Sequence, residues 1–184
     1  MPMKEMPVAE MTLENYKIQL LTADDVEVFK KLRVFATQES PFAFVTTELE
    51  LLKLSKNELK GWIGPDKNRF MLGVFSHKGE LVGIAAVRRD SWERLAHRGI
   101  VWGAYVSPEH RKLGVGQELI KRLIAESVRL EGITTLVLSV SERQHAASAL
   151  YKKLGFKSYG IDSRALRYGE NYISEELLSL DLVS

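Results

Sequence analysis

The segment that most restricts this chain is Val101-Trp-Gly-Ala-Tyr-Val-Ser-Pro-Glu-His-Arg-Lys-Leu-Gly-Val-Gly116. An apolar stretch, Gly99 to Val106, reads as a strand buried on both faces, and it runs through Ser107-Pro108 into Arg111-Lys112 and then Gly114-x-Gly116. Directly beyond, Val115, Leu119, Ile120, Leu123, Ile124 and Val128 recur at helical spacing. A helix start offers unpaired N–H groups and a positive dipole end, so it suits a phosphate. Glycine at 114 and 116 lets a ligand approach the backbone without meeting a β-carbon. No Lys-Ser or Lys-Thr follows Gly116, which excludes a P-loop, and Leu119 stands where a dinucleotide fingerprint needs its third glycine. From the glycines alone, a plain tight turn is the preferred reading.

The rest of the chain alternates strand and helix patterns. Tyr16 to Leu21 alternates as a half-buried strand. Thr22, followed by Asp24 and Asp25, caps a helix whose apolar face is Val26, Phe29, Leu32 and Val34–Phe35, ending at Ser40-Pro41. One further helix is expected over 47–62. Phe70–Ser76 and Leu81–Arg88 read as a hairpin turning at His77-Lys78-Gly79-Glu80. Thr134–Val140 is a strand and Ala146–Leu154 a helix stopped by Gly155. Two last strands fall near Phe156–Tyr159 and Ile173–Leu182. The order β-α-α-β-β-β-α-β-α-β-β means an α/β fold with a mixed sheet, antiparallel at hairpins and parallel where a helix intervenes. With no repeat or linker, residues 1–184 are expected to form a single domain, with 1–14 a flexible N-terminal extension.

Composition removes several functions. The chain has no cysteine, so disulfides, thiolate metal sites and a Cys nucleophile are excluded. Its four histidines show no metal-binding spacing, and no metal is expected. A formal charge of +2 argues against a nucleic-acid binder. No apolar run reaches the roughly 20 residues that cross a bilayer, and the N-terminal residues lack a signal-peptide pattern, so a cytoplasmic protein without membrane partners is expected.

Val106-Ser-Pro-Glu-His-Arg-Lys-Leu-Gly-Val-Gly116 resembles the coenzyme A-binding motif [QR]-x-x-G-x-[GA] of the GNAT superfamily of N-acetyltransferases, through Arg111, Gly114 and Gly116. Gln144-His-Ala-Ala-Ser-Ala-Leu-Tyr-Lys-Lys-Leu-Gly-Phe156 resembles that family's N-x-x-A-x-x-L-Y-x-x-x-G-F, with Gln144 in place of the frequent Asn. The resemblance covers about residues 70–160. It implies a mainly antiparallel mixed sheet flanked by helices, with a splayed pair of parallel strands. It also implies acetyl-CoA as co-substrate and a primary amine, on a small molecule or peptide, as acceptor.

The resemblance also implies roles for individual residues. Backbone at Tyr105 and Val106 would pair with the pantetheine arm. Backbone from Arg111 through Lys112, Gly114 and Val115 to Gly116 would hold the pyrophosphate, and Gln144 would offer an amide contact. Tyr151 would protonate the departing thiolate, because a phenol stays protonated at neutral pH; a core aromatic is the plainer alternative. Pro41-Phe-Ala-Phe-Val-Thr-Thr-Glu48 resembles a segment of a bacterial subset that ends in an acid near the acceptor, so Glu48 is the candidate base. Glu50, a water chain, and a purely dipole-stabilising Glu48 are the alternatives. Met71, Trp92, Trp102 and Phe44 are candidates to line the acceptor pocket, and Lys152-Lys153 to reach the adenosine phosphate. An acyl-CoA sensor without transfer is the second reading, and either a monomer or a homodimer fits.

Overall fold

Strand β1 (Tyr16–Leu20) leads into a cap in which the Thr22 hydroxyl accepts from the Asp24 N–H while the Asp25 carboxylate accepts from the Thr22 N–H. Such a reciprocal arrangement satisfies helix-start donors and opens α1 (Val26–Glu39). These coordinates are a computed structural model that describes residues 13–182; most of the expected N-terminal extension, residues 1–12, lies outside the described residues. The buried residues of α1 are Val26, Phe29, Leu32, Arg33, Ala36 and Thr37, whereas Phe35 is 46% exposed. The expected inward face is thereby corrected. At 3.6 residues per turn the stripe through Phe29 and Leu32 continues through Arg33 and Ala36, and Phe35 rotates outward. An arginine therefore sits on the buried side of the helix.

The single helix expected over 47–62 is two helices. Thr47 with Glu50 caps α2 (Glu48–Lys53), and Ser55 with Glu58 caps α3 (Lys56–Ile63). Leu54 between them is extended, at φ −67° and ψ 132°. The second capping box offers the backbone a fresh start, which ends the first helix.

The remaining elements are β2 (Arg69–Ser76), β3 (Leu81–Arg89), β4 (Arg98–Val106), α4 (Val115–Ser127), β5 (Thr135–Ser141), α5 (His145–Lys153), β6 (Lys157–Tyr168) and β7 (Asn171–Asp181). The strands form one sheet in the order β1-β2-β3-β4-β5-β7-β6. Every neighbouring pair is antiparallel except β4 with β5. Side chains alternate across the strands, so each face has its own core. Leu72, Val74, Ala85 and Val87 pack with Leu119 and Leu123 of α4, while Met71, Ile84 and Ala86 pack with Phe29, Leu32, Leu59 and Ile63 of α1 and α3.

Two features of β4 position the site. Its parallel pairing with β5 covers only Arg98–Ile100 against Thr135–Val137, and beyond that point the strands part. Its register against β3 also slips: Ile84 faces Tyr105 but Ala86 faces Trp102, so Gly103 and Ala104 share one partner position, with Gly103 at φ 67°. This is a bulge, and glycine relieves the left-handed torsion that it needs. The expectation of burial on both faces fails from Trp102 to Ala104, which are only partly buried, because β5 no longer covers the strand there.

The last hairpin is longer than its sequence suggests. Strand β6 runs to Tyr168, well past the expected Tyr159. Most of its residues are exposed, so its extended form rests on hydrogen bonds to β7 and not on an apolar pattern. Among the described residues no helix is long and apolar enough to cross a membrane.

Candidate active site

Where β4 leaves β5, a cavity of about 390 Å³ opens between the end of β4, the start of α4 and one side of α5. Its walls include Tyr105, Val106, Arg111, Lys112, Gly114, Gly116, Gln144 and Tyr151. Seven of the eight residues expected from sequence to bind the co-substrate, together with the candidate acid, therefore meet in one place; the eighth, Val115, is buried beneath the turn. The turn is built by torsion. Gly114 stands at φ 83° as the N-cap of α4, and Lys112 at φ 62° is the one left-handed residue other than glycine among the described residues. Among the described residues no side chain caps α4, and its first internal bond is Glu118 N–H to Gly114 C=O at 3.0 Å. The N–H groups of Val115, Gly116 and Gln117 thus have no helical acceptor. A β-carbon built on Gly116 would lie 3.6 Å from Leu150 and 3.8 Å from Val106, between the two walls of the cavity.

Backbone direction at the end of β4 separates Tyr105 from Val106. The Ser107 N–H donates to Val82 C=O, towards β3. Because backbone groups alternate sides along an antiparallel strand, those of Val106 face the cleft and those of Tyr105 face β3. Tyr105 consequently presents its ring and not its backbone. The Val106 carbonyl already accepts from Arg111 Nε at 2.8 Å, which leaves the Val106 N–H on the cleft side.

Arg111 does more than place a charge. Its Nη1 and Nη2 donate to Glu39 Oε1 and Oε2 at 3.1 and 2.7 Å, and the Tyr105 hydroxyl donates to Glu39 Oε2 at 3.1 Å. The fork ties the end of α1 to the end of β4. Arg111 holds the Glu39 carboxyl below its ordinary range, while burial, followed by the Glu39 carboxylate, pushes the Tyr105 phenol up. Glu39 escapes the sequence reading because its partner is 72 residues away. Glu39→Ala is expected to raise the dissociation constant for coenzyme A about threefold and to cost about 1 kcal/mol of stability, the pair being half-exposed. Calorimetry and thermal melts check the two halves, and unchanged affinity would reduce the fork to a structural tie.

Tyr151 is 7% exposed, packs edge-on against Phe156 at 5.5 Å, and faces the cavity. Burial pushes its phenol up to about 12. It thus remains a proton donor at any physiological pH. Gln144 is the N-cap residue of α5, with no side-chain capping bond. Lys152 pairs with Glu176 at 2.8 Å and Lys153 donates to Gln117 Oε1 at 2.8 Å; Lys153 lies beside the turn.

A second cavity of about 380 Å³ lies on the other side of the β4 bulge and shares Ala43 with the first. Phe44, Trp62 and Trp102 give it an aromatic wall, with the two indoles edge-on at 5.9 Å. Ser139 and Glu175 close it from β5 and β7. Of the expected pocket residues, Phe44 and Trp102 line this cavity. Met71 is wholly buried core and Trp92 is 74% exposed. Glu48 accepts from Gln38 Nε2 at 2.7 Å and is not among the lining residues of either cavity. Glu50 closes the Thr47 capping box, which holds its carboxyl below the ordinary range. Glu175, unmarked by any motif, is the carboxylate that lines the second cavity.

The site is thus a parted parallel pair above a glycine turn at a helix start, with a buried tyrosine across the gap. A sequence profile of the Acetyltransferase (GNAT) family matches residues 32–156, and the chain belongs to that family. Solved structures agree on the fold. The acetyltransferase of GNAT family from Streptococcus pneumoniae superposes with a TM-score of 0.78 at 21% identity, over 90% of this chain and 98% of that one. The protein yncA from Salmonella typhimurium, solved with its cofactor acetyl-CoA, gives 0.78 at 18% identity, over 92% and 95%. Among curated proteins, N-acetyltransferase family 8 member 3 of Mus musculus is 32% identical over 47% of this chain and 38% of its own length. Streptothricin acetyltransferase of Streptomyces lavendulae is 32% identical over 56% and 52%. The chain thus spans about half or less of the length of these two curated relatives.

Proposed function

We propose that this chain transfers an acetyl group from acetyl-CoA to a primary amine by direct attack in a ternary complex. One observation carries the reading: two cavities, one beside an uncapped glycine turn and one lined with aromatics, meet at Ala43 where β4 parts from β5. The first fits the co-substrate, since helix-start N–H groups suit a pyrophosphate and Gly116 leaves room for it. The N–H of Val106 is the donor for the arm or the thioester carbonyl, where it would stabilise developing oxyanion charge. The second cavity holds the amine.

In the reaction the amine nitrogen bonds to the acyl carbon, the carbon–sulfur bond breaks, and the thiolate takes a proton from Tyr151. The amine must lose a proton to attack, and Glu175 stands nearer this task than Glu48 because it lines the amine's cavity. A screen of amine acceptors read by free thiol release tests the whole reading, and the absence of cysteine keeps the background clean. Initial-rate lines are expected to intersect. Parallel lines, or an acetylated protein formed without acceptor, would count against direct attack. Glu175→Gln is expected to lower kcat/KM at neutral pH at least about fivefold. A larger fall for Glu48→Gln would return the role to α2.

A further inference from the structure

The second cavity contains a cation that forms no ion pair among the described residues. Arg33, on α1, is only 4% exposed and lines this cavity. Its Nε and Nη1 are buried and meet no hydrogen-bond partner among the described residues. The guanidinium lies 3.8 Å over the Phe44 ring, a contact that orients it without satisfying its donors. Burial pulls its pKa down to about 10, and it is still charged at neutral pH. A buried unpaired charge is among the costlier features a fold can hold, and an apolar residue of similar length would pack here at lower free energy. The buried Nε1 of Trp102, which lines the same cavity from β4, also meets no partner among the described residues.

The neighbouring charges do not supply the missing anion. Arg69 has its counter-charge in Asp66, Nε to Oδ2 at 3.1 Å, although that contact is off the line of a hydrogen bond. Arg88 adds a third positive group to the lining, and Glu175 is its acid. The cavity thus offers cations from α1, β2 and β3, an indole donor from β4 and a carboxylate from β7. We infer that the acceptor is an amine that also carries a carboxylate, of the α-amino-acid class, whose carboxylate is bound by Arg33 and the Trp102 N–H. A planar guanidinium matches a carboxylate in two parallel hydrogen bonds. A cavity of about 380 Å³ admits a small molecule of this kind with an apolar side chain against Trp62 and Phe44. The inference rests on the transfer reading for the identity of the acceptor, though not for the anion site itself.

The test has a kinetic arm and a binding arm. Phenylalanine, phenylalaninamide and phenethylamine are compared as acceptors by thiol release, and N-acetylphenylalanine and its amide are compared by calorimetry in the presence of coenzyme A. The acid is expected to be used and bound at least about tenfold better than the uncharged-tail partners, in keeping with a charge-assisted pair. Arg33→Met should abolish that preference. Its melting temperature should match or exceed the wild type, since a buried unpaired charge is removed. Equal use and binding of acid and amide by the wild type, or a preference that survives in folded Arg33→Met, would overturn the inference. If Arg33→Met fails to fold, Trp102→Phe, which removes only the indole donor, should still weaken the preference; an unchanged preference there would also overturn it. Selective binding of the acid without turnover would keep the anion site and remove the transfer reading. Turnover that ignores the carboxylate would do the reverse.

Discussion

Tyr151→Phe is expected to lower kcat about a hundredfold, the usual worth of a positioned general acid. The ring stays, and with it the edge-on contact to Phe156 at 5.5 Å, so misfolding does not account for the loss. Affinity for coenzyme A should barely move, because the phenol acts on charge that develops only as the thiolate leaves. The pH dependence adds a second check. Burial raises the phenol to about 12, so the proton is present below that value and lost only above it. The wild type should show no alkaline fall in kcat assignable to this group below about pH 11. A limb near pH 10 would place the phenol in an ordinary environment, and wild-type kcat in the variant would give the role to water. Tight coenzyme A binding with no turnover across a broad acceptor screen would favour a sensor.

The second large effect is on binding. Gly116→Val is expected to raise the dissociation constant for coenzyme A at least about thirtyfold, or ~2 kcal/mol. Its torsion is not left-handed, and a β-carbon there makes only ordinary contacts with Leu150 and Val106, so the fold should tolerate the change. The isopropyl group then stands between the walls of the cleft, beside the N–H groups that the pyrophosphate needs. Calorimetry of a variant shown to be folded by its melt decides the matter. Unchanged affinity would remove the phosphate reading of the turn.

The turn, the strand before it and the helix after it were legible because each signal is short-range: a glycine pair, a basic pair and a 3.6-residue period. Tyr151 was legible for the same reason, as part of a local motif. Two other features have equally local signals. Ser55-Lys-Asn-Glu58 is a second capping box that splits 47–62 in two. Arg33 stands four residues after Phe29 and three before Ala36, so helical periodicity alone puts a charge on the buried face. What could not be read is what the tertiary fold brings together. Glu39 meets Arg111 across 72 residues. Glu175 enters the second cavity from β7, and β6 is extended only because β7 pairs with it.

Lys112 at φ 62° bears on how the cleft would capture an anion under the proposed reading. A left-handed torsion costs a side-chain-bearing residue about 1–2 kcal/mol, whereas glycine adopts it freely but loses roughly 0.5–1 kcal/mol of chain entropy on folding. Replacing Lys112 by glycine exchanges one cost for the other and leaves the turn's shape intact. Charge and conformation, which act together almost everywhere in such a loop, are therefore separable at this one residue. The lysine's attraction reaches only about 8 Å in physiological salt. Ionic strength acts on that attraction and leaves the backbone donors of the turn untouched, so the same loop has a long-range component that salt switches off and a contact component that it does not.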